Sequence, residues 1–136
     1  MQITPNKLLL GMYWSFAEPV PESPRSFIVA ARAYAADIAA PDPSEALEAQ
    51  LPISDIRIRH ENWTRGPDGG WLSSNIDVRI GGHSIVKLTG AELLWQIHLI
   101  CANTVGKNDN HFFEGLELET EVALNEPPLY RLLLGS

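Results

Sequence analysis

The segment 89–124 constrains the fold most, because a helix that is apolar on most of its circumference leads into a strongly alternating strand. Thr89-Gly-Ala-Glu92 has the spacing of a capping box, in which the threonine hydroxyl accepts from the amide three residues later. A glycine at position 106 provides a left-handed stop. Because the polar strip between them is narrow, the helix must be covered on more than one side. We expect a long buried helix over 89–105, with a sheet under one face and N-terminal helices or a partner subunit on the Trp95 side.

The N-terminal third contains three helix-start signals, each a cap residue followed by proline. They are Thr4-Pro5, Ser23-Pro24 and Asp42-Pro43. Apolar residues recur at helical spacing after the first two signals. The pattern predicts three N-terminal helices, and a strand over residues 7–16 is the alternative for the first.

A two-residue period replaces the helical one after residue 52. Apolar and charged residues alternate on both sides of a glycine-rich turn at 65–70, which predicts an antiparallel hairpin. Residues 83–87 are either a short extra strand or the approach to the Thr89 cap. After the central helix, alternation over 116–124 and an apolar run over 129–134 predict a second hairpin.

These elements predict an α+β fold in which N-terminal helices precede a β-hairpin, a long buried helix and a second β-hairpin. The simplest assembly is a four-stranded, mostly antiparallel sheet with the helices packed on one face. At 136 residues, the chain 1–136 is expected to form a single α+β domain.

Trp63 and Trp71 flank the turn of the first predicted hairpin. Cross-strand aromatic pairing near a turn stabilises hairpins, and we favour this interpretation. With His60, Glu61 and Arg65 nearby, a ligand-contacting tip is the alternative.

The charge balance of 10 basic and 17 acidic residues gives a net charge of −7. This charge disfavours nucleic acid and anionic membrane as partners, since both need a positive surface, and it permits a basic protein partner.

One cysteine excludes an internal disulfide and suggests a reducing compartment. No apolar run reaches the ~18–20 residues of a membrane span, and the N-terminal apolar run is too short for a signal peptide. A cytoplasmic protein is expected.

The acidic charge is concentrated in residues 108–126, which contain no Lys or Arg. The carboxylates there are Asp109, Glu114, Glu117, Glu119, Glu121 and Glu126. The three glutamates from 117 to 121 share one strand face at spacings of about 6.6 Å, so their repulsion needs compensation. Cross-strand pairing would supply it, with Arg57, Arg59, Arg79 or Arg131 as the partner. The alternative is an acidic docking surface for a basic partner.

The segment 106–114 is the most site-like part of the chain, because it bunches polar residues beside two phenylalanines at a helix exit. It could equally be an ordinary connection in which Phe112 and Phe113 straddle the sheet. The candidate binding residues from this segment and the acidic strand are Asp109, His111, Glu114, Glu117, Glu119 and Glu121.

His98 and Cys101 lie three residues apart on the central helix. A Cys–His nucleophile pair needs an exposed thiolate, whereas Cys101 lies among apolar residues and is predicted to be a buried core residue. His98 is predicted to be a core or boundary histidine. A metal site from His98, Cys101, Asp109 and His111 would lack any standard ligand spacing. The chain has no recognisable catalytic motif, so no catalytic residue, metal or cofactor is predicted.

Three hypotheses for function follow. The first is a non-enzymatic interaction protein, such as an adaptor or a neutralising, immunity-like protein, that uses an acidic surface. The alternative is a small-molecule-binding or catalytic domain with a pocket near His98, Asp109, His111 and Glu114. The third is a structural homodimer, with either Trp95 and Leu99 or the predicted Trp14 helix at its interface.

Overall fold

The computed structural model describes residues 5–81, 87–102, 111–120 and 126–135, which form a mixed six-stranded sheet and three helices. In chain order the elements are β1 (Lys7–Leu8), β2 (Trp14–Ser15), α1 (Pro24–Asp37), α2 (Ser44–Glu48), β3 (Asp55–Arg65), β4 (Trp71–Gly81), α3 (Gly90–Cys101), β5 (Phe112–Thr120) and β6 (Leu129–Gly135).

The sheet has the order β1-β5-β6-β3-β4, and β2 also pairs with β5. The hairpins β3–β4 and β5–β6 are antiparallel, as their alternation predicts. They are joined by a short parallel pairing of β3 with β6, in which Ile58 is opposite Tyr130. The predicted four-stranded, mostly antiparallel sheet with N-terminal helices is therefore wrong.

The first predicted helix is the largest error, because residues 7–16 contribute β1 and β2 to the edge of β5. The strand alternative is correct in part, because β1 and β2 are two residues each and a turn separates them. Leu8, Met12, Trp14 and Phe16 are buried, whereas Leu10 and Tyr13 are exposed. Leu9 and Gly11 adopt positive φ angles of 55° and 78°, which a right-handed helix does not allow.

The helices α1 and α3 begin where their cap signals predict. The Ser23 hydroxyl accepts from the Ser26 amide at 3.1 Å, and the Thr89 hydroxyl accepts from the Glu92 amide at 3.1 Å. However, α3 is 12 residues long and ends at Cys101, and Leu99 is 49% exposed, so the prediction of a long, almost fully buried helix is wrong. Residues 103–105 of the predicted helix, and 83–86 of the considered strand, lie outside the described residues.

An aromatic cluster fills the space between the helices and the sheet. Trp14, Phe16, Phe27 and Phe113 are each at most 2% exposed, and their rings contact one another or His98. The Trp95 side of α3 is covered by the chain itself, since the Trp95 indole N–H donates to the Pro21 carbonyl at 2.8 Å. Among the described residues, no helix combines the length and the apolar character needed to cross a membrane.

The contact between α2 and α3 gives a first test of the packing. A Cβ added to Gly90 would lie 2.4 Å from the Ala46 carbonyl oxygen and 3.2 Å from the Leu47 Cα. Because these are backbone atoms, we expect Gly90→Ala to lower the free energy of unfolding by about 1–3 kcal/mol, measured by urea denaturation. Gln96→Ala, a half-buried position on the same helix, is the control and should change it by less than about 1 kcal/mol. An unchanged stability for Gly90→Ala would contradict the close α2–α3 approach.

Candidate functional site

The acidic strand is compensated within the sheet. Glu117 pairs with Arg131 at 3.0 Å, and Glu119 pairs with Arg131 at 3.5 Å and with Arg59 at 3.4 Å. Arg59 continues the chain of charges to Asp77 at 2.8 Å. Cross-strand pairing, the first of the two interpretations of this strand, is therefore observed for both glutamates. Glu121 lies outside the described residues.

The remaining two arginines of this face are also paired. Arg57 donates from Nε to the Pro127 carbonyl at 3.0 Å and lies 3.7 Å from the Glu126 carboxylate. Arg79 donates from Nε to Asp55 at 2.9 Å. Each of these ion pairs is partly exposed, so each contributes little by itself, and the face is close to charge balance across its width.

The contribution of the Arg59–Asp77 ion pair to stability can be tested by varying the pH. The hydrogen bond from Arg59 holds the pKa of Asp77 below its usual range. A lowered carboxyl pKa stabilises the fold above the unfolded-state pKa of about 3.9, and this stability is lost as the pH falls through the lower folded-state value. We therefore expect Asp77→Asn to lower Tm at pH 7 and the difference from wild type to shrink towards pH 2. Because these charges are partly exposed, added salt should also reduce the difference. A difference that is constant with pH would contradict the charge pairing.

Of the helix-exit segment, residues 111–114 are described and lead directly into β5, whereas 106–110 lie outside the described residues. Phe113 is fully buried and Phe112 is 36% exposed, so the two phenylalanines do straddle the sheet. The His111 ring lies 4.3 Å from the Phe112 ring, and its backbone carbonyl accepts from the Phe16 amide at 2.8 Å. Glu114 is exposed and lies over Gly135, where an added Cβ would come within 2.8 Å of its carboxylate. Asp109 lies outside the described residues.

His98 is a fully buried core residue rather than a surface ligand. The Trp14 indole N–H donates to its Nδ1 at 3.1 Å. Since an indole nitrogen can only donate, the neutral imidazole must carry its proton on Nε2. No acceptor among the described residues meets hydrogen-bond geometry with Nε2, and burial lowers the pKa of His98, although the nearby carbonyls of Phe16 and Glu18 partly oppose this.

Cys101 is 1% exposed, and burial raises the pKa of its thiol to about 12. A thiol that stays protonated at neutral pH is a poor nucleophile. The burial of Cys101 confirms the prediction of a core residue. Within the described ranges, no three His, Cys, Asp or Glu side chains form a cluster that could hold a metal ion.

The buried histidines predict a second pH dependence. Burial lowers the pKa values of both His60 and His98, so the unfolded chain binds protons at a higher pH than the folded protein does. Stability should therefore fall as the pH drops below about 6.5, measured by urea denaturation between pH 7.5 and pH 5. His98→Gln should reduce this slope, whatever its packing cost at pH 7.5, and His111→Gln serves as the control that removes a histidine outside the core. A slope equal to that of wild type in His98→Gln would contradict the buried, neutral state of this ring.

A groove that the sequence did not predict lies between residues 18–22 and α1. It has a volume of about 530 Å³ and is lined by Trp14, Glu18, Pro19, Val20, Pro21, Glu22, Ser26, Ala30, Ala33, Tyr34 and Asp37. The available signal was the run Glu18-Pro-Val-Pro-Glu22, in which prolines hold an apolar segment extended between two carboxylates.

The groove combines an aromatic lining with uncompensated negative charge. Glu18, Glu22 and Asp37 are exposed, and none forms an ion pair with a Lys, Arg or His of the described ranges. Burial and the nearby charge of Glu18 raise the pKa of Tyr34, so its hydroxyl stays neutral. Trp14 contacts Tyr34 edge-on at 5.6 Å and is anchored beneath by His98. Aromatic rings beside carboxylates form a favourable environment for an organic cation.

A second cavity lined by described residues is less suited to a charged ligand. It has a volume of about 410 Å³ and lies on α1 between Val29 and Asp42. Its one acid, Asp42, lies 3.8 Å from Arg32, and hydrogen bonds from Ser44 lower the pKa of Asp42. Neither this cavity nor the groove includes His98, His111 or Glu114 in its lining.

Comparison of the chain with protein-family models, with curated proteins and with solved structures finds no significant match.

Proposed function

We propose that the protein is a non-enzymatic, cytoplasmic binding protein, an adaptor or a neutralising protein, which takes a basic side chain of a partner protein into the groove between residues 18–22 and α1. The observation that carries this proposal is a set of three carboxylates, Glu18, Glu22 and Asp37, which form no ion pair within the described residues and surround a groove lined by Trp14 and Tyr34.

The charge distribution favours this groove over the acidic strand. In the strand, Glu117 and Glu119 already have arginine partners, so a ligand would have to compete with Arg59 and Arg131. At the groove, a Lys or Arg of a partner would gain charge pairing without displacing an internal cation. The net charge of −7 adds a favourable long-range field for a basic partner.

The dimensions favour an arginine or lysine side chain. A groove of about 530 Å³ is within the range of ligand-binding clefts, and its proline and alanine walls suit the apolar stem of a long basic side chain. Tyr34 is half-buried, so its ring can contact the cation, whereas Trp14 is 2% exposed and mainly supports the wall. The high pKa and burial of Cys101 suit a binding role in a reducing compartment better than a nucleophilic one.

The test is a titration of isotope-labelled protein with the peptide acetyl-Gly-Arg-Gly-amide, followed by NMR. Citrulline in place of arginine provides a neutral peptide of the same shape. We expect shifts in the amide signals of Ala30, Ala33 and Tyr34, with a dissociation constant on the order of millimolar for so small a ligand. The citrulline peptide should bind at least about tenfold more weakly, because the charge pairing is lost.

Two sets of variants separate the groove from the acidic strand. Glu18→Gln with Glu22→Gln and Asp37→Asn should abolish the shifts, whereas Glu117→Gln with Glu119→Gln should leave them unchanged. Equal binding of the arginine and citrulline peptides, or loss of binding only in the strand variant, would overturn the proposal.

A further inference from the structure

The hairpin β3–β4 extends well beyond the rest of the sheet. Its register is continuous from Asp55 opposite Gly81 to Arg65 opposite Trp71, whereas β6 pairs with β3 only at residues 57–59. Within the described ranges, the distal half is therefore a two-stranded arm in which each strand pairs only with the other. Such a ribbon is marginally stable by itself in water, because it lacks a sheet or helix to pack against.

The arm carries large apolar side chains in contact with solvent. Trp71 is 60% exposed, Leu72 is 56% exposed and Trp63 is 44% exposed. The predicted Trp63–Trp71 pairing is not direct, since Trp63 is opposite Ser73 and Trp71 is opposite Arg65, whose guanidinium carbon lies 4.7 Å from the Trp71 ring centre. Packing within the hairpin thus leaves most of this apolar surface uncovered.

β4 is the last strand on its side of the sheet within the described ranges. It is 11 residues long, about twice the usual strand length, and it contains no proline or lysine and no register shift against β3. Its charged residues Asp77 and Arg79 are already paired with Arg59 and Asp55. Within the described ranges, this edge therefore lacks the proline, the lysine and the bulge with which proteins commonly prevent strand addition.

The pairing of β3 with β6 determines which backbone groups of β4 point to the open edge. The Arg57 amide donates to the Pro128 carbonyl, so the odd-numbered backbone groups of β3 face β6 and the even-numbered groups face β4. Across the register Ile58 is opposite Val78, so even-numbered groups of β4 face β3. The amides and carbonyls of Trp71, Ser73, Asn75, Asp77 and Arg79 consequently point to the open edge.

We propose that β4 is a homodimer interface, in which two copies of this chain pair antiparallel through their β4 strands with Asn75 opposite Asn75 on the two-fold axis. In this register all five outward-facing residues align with outward-facing residues of the second copy. They would exchange about ten backbone hydrogen bonds, two for each aligned pair.

The side chains are self-complementary in this register. On one face Trp71 lies opposite Arg79 of the second copy, which allows a cation–π contact, and Ser73 lies opposite Asp77 of the second copy. On the other face Leu72 lies opposite Val78 of the second copy. Shifting the axis by one residue to Ile76 places Trp71 opposite a glycine, and shifting it to Ser74 places Trp71 opposite Asp77. Leu72 lies opposite an aliphatic side chain of the second copy in each of these registers, whereas only the register centred on Asn75 places an arginine opposite Trp71.

This interface differs from the dimer surfaces expected from the sequence. Trp14 is buried in the core, and Trp95 is held by the Pro21 carbonyl. The proposal is independent of the basic-ligand groove, because β4 contributes no residue to its lining.

Sedimentation equilibrium and cysteine cross-linking test the proposal together. The wild-type chain should show a concentration-dependent dimer. Asn75→Lys should weaken the dimer on the order of tenfold or more, because two like charges would face each other at the axis. Asn62→Lys, on β3, is the matched control and should leave the dimer intact.

The register is tested with Asn75→Cys and Ser73→Cys under mild oxidation. Residues facing each other on the axis have a Cα separation of about 5.5 Å, which a disulfide spans, whereas two copies of residue 73 would be about 13 Å apart. Only Asn75→Cys should yield a cross-linked dimer on a non-reducing gel, since the native Cys101 is buried. A wild-type monomer at all concentrations up to about 1 mM, a dimer insensitive to Asn75→Lys, or equal cross-linking at both positions would overturn the proposal.

Discussion

The hydrogen bond from the Trp14 indole to His98 Nδ1 is the interaction on which the rest of the structure depends. It links the N-terminal strand segment to the central helix inside an apolar core, where an unpaired polar group would cost on the order of 1–3 kcal/mol. Around this bond, the Phe27 ring contacts Trp14 and the Phe16 ring contacts His98. Phe16 also contacts Phe113 on the sheet. One polar pair thereby sets how the first residues, both long helices and β5 pack together.

The same pair supports the proposed site. Trp14 forms part of the groove wall and contacts Tyr34, so the position of the wall depends on the buried bond to His98 beneath it. The other wall is held by the bond from Trp95 to the Pro21 carbonyl. The Trp95 indole thus holds the proline segment, and Trp14 lies in the lining of the same groove. Glu18, Glu22 and Asp37 beside this groove form no ion pair with a Lys, Arg or His of the described ranges.

Local signals predicted several elements well. The cap residues Ser23 and Thr89 start α1 and α3, and the alternating runs form the two antiparallel hairpins. The helical prediction for 7–16 is wrong because apolar residues recur there at helical spacing, whereas pairing with the distant strand β5 decides the structure. The parallel pairing of β3 with β6 has no local signal. For the site, alternation correctly placed Arg59 and Arg131 beside the glutamates, but the groove depends on α1 lying against residues 18–22.

By itself, the sequence determined where α1 and α3 start, which strands form hairpins and that Cys101 is buried, because capping, turn chemistry and burial periodicity act over a few neighbouring residues. The tertiary structure alone decided that residues 7–16 extend the sheet and that the two hairpins join in parallel. It also decided which carboxylates keep their charge uncompensated and which strand edge stays open. These outcomes depend on contacts between residues distant in the chain, and the free energy of such contacts depends on which partner each residue finds in space.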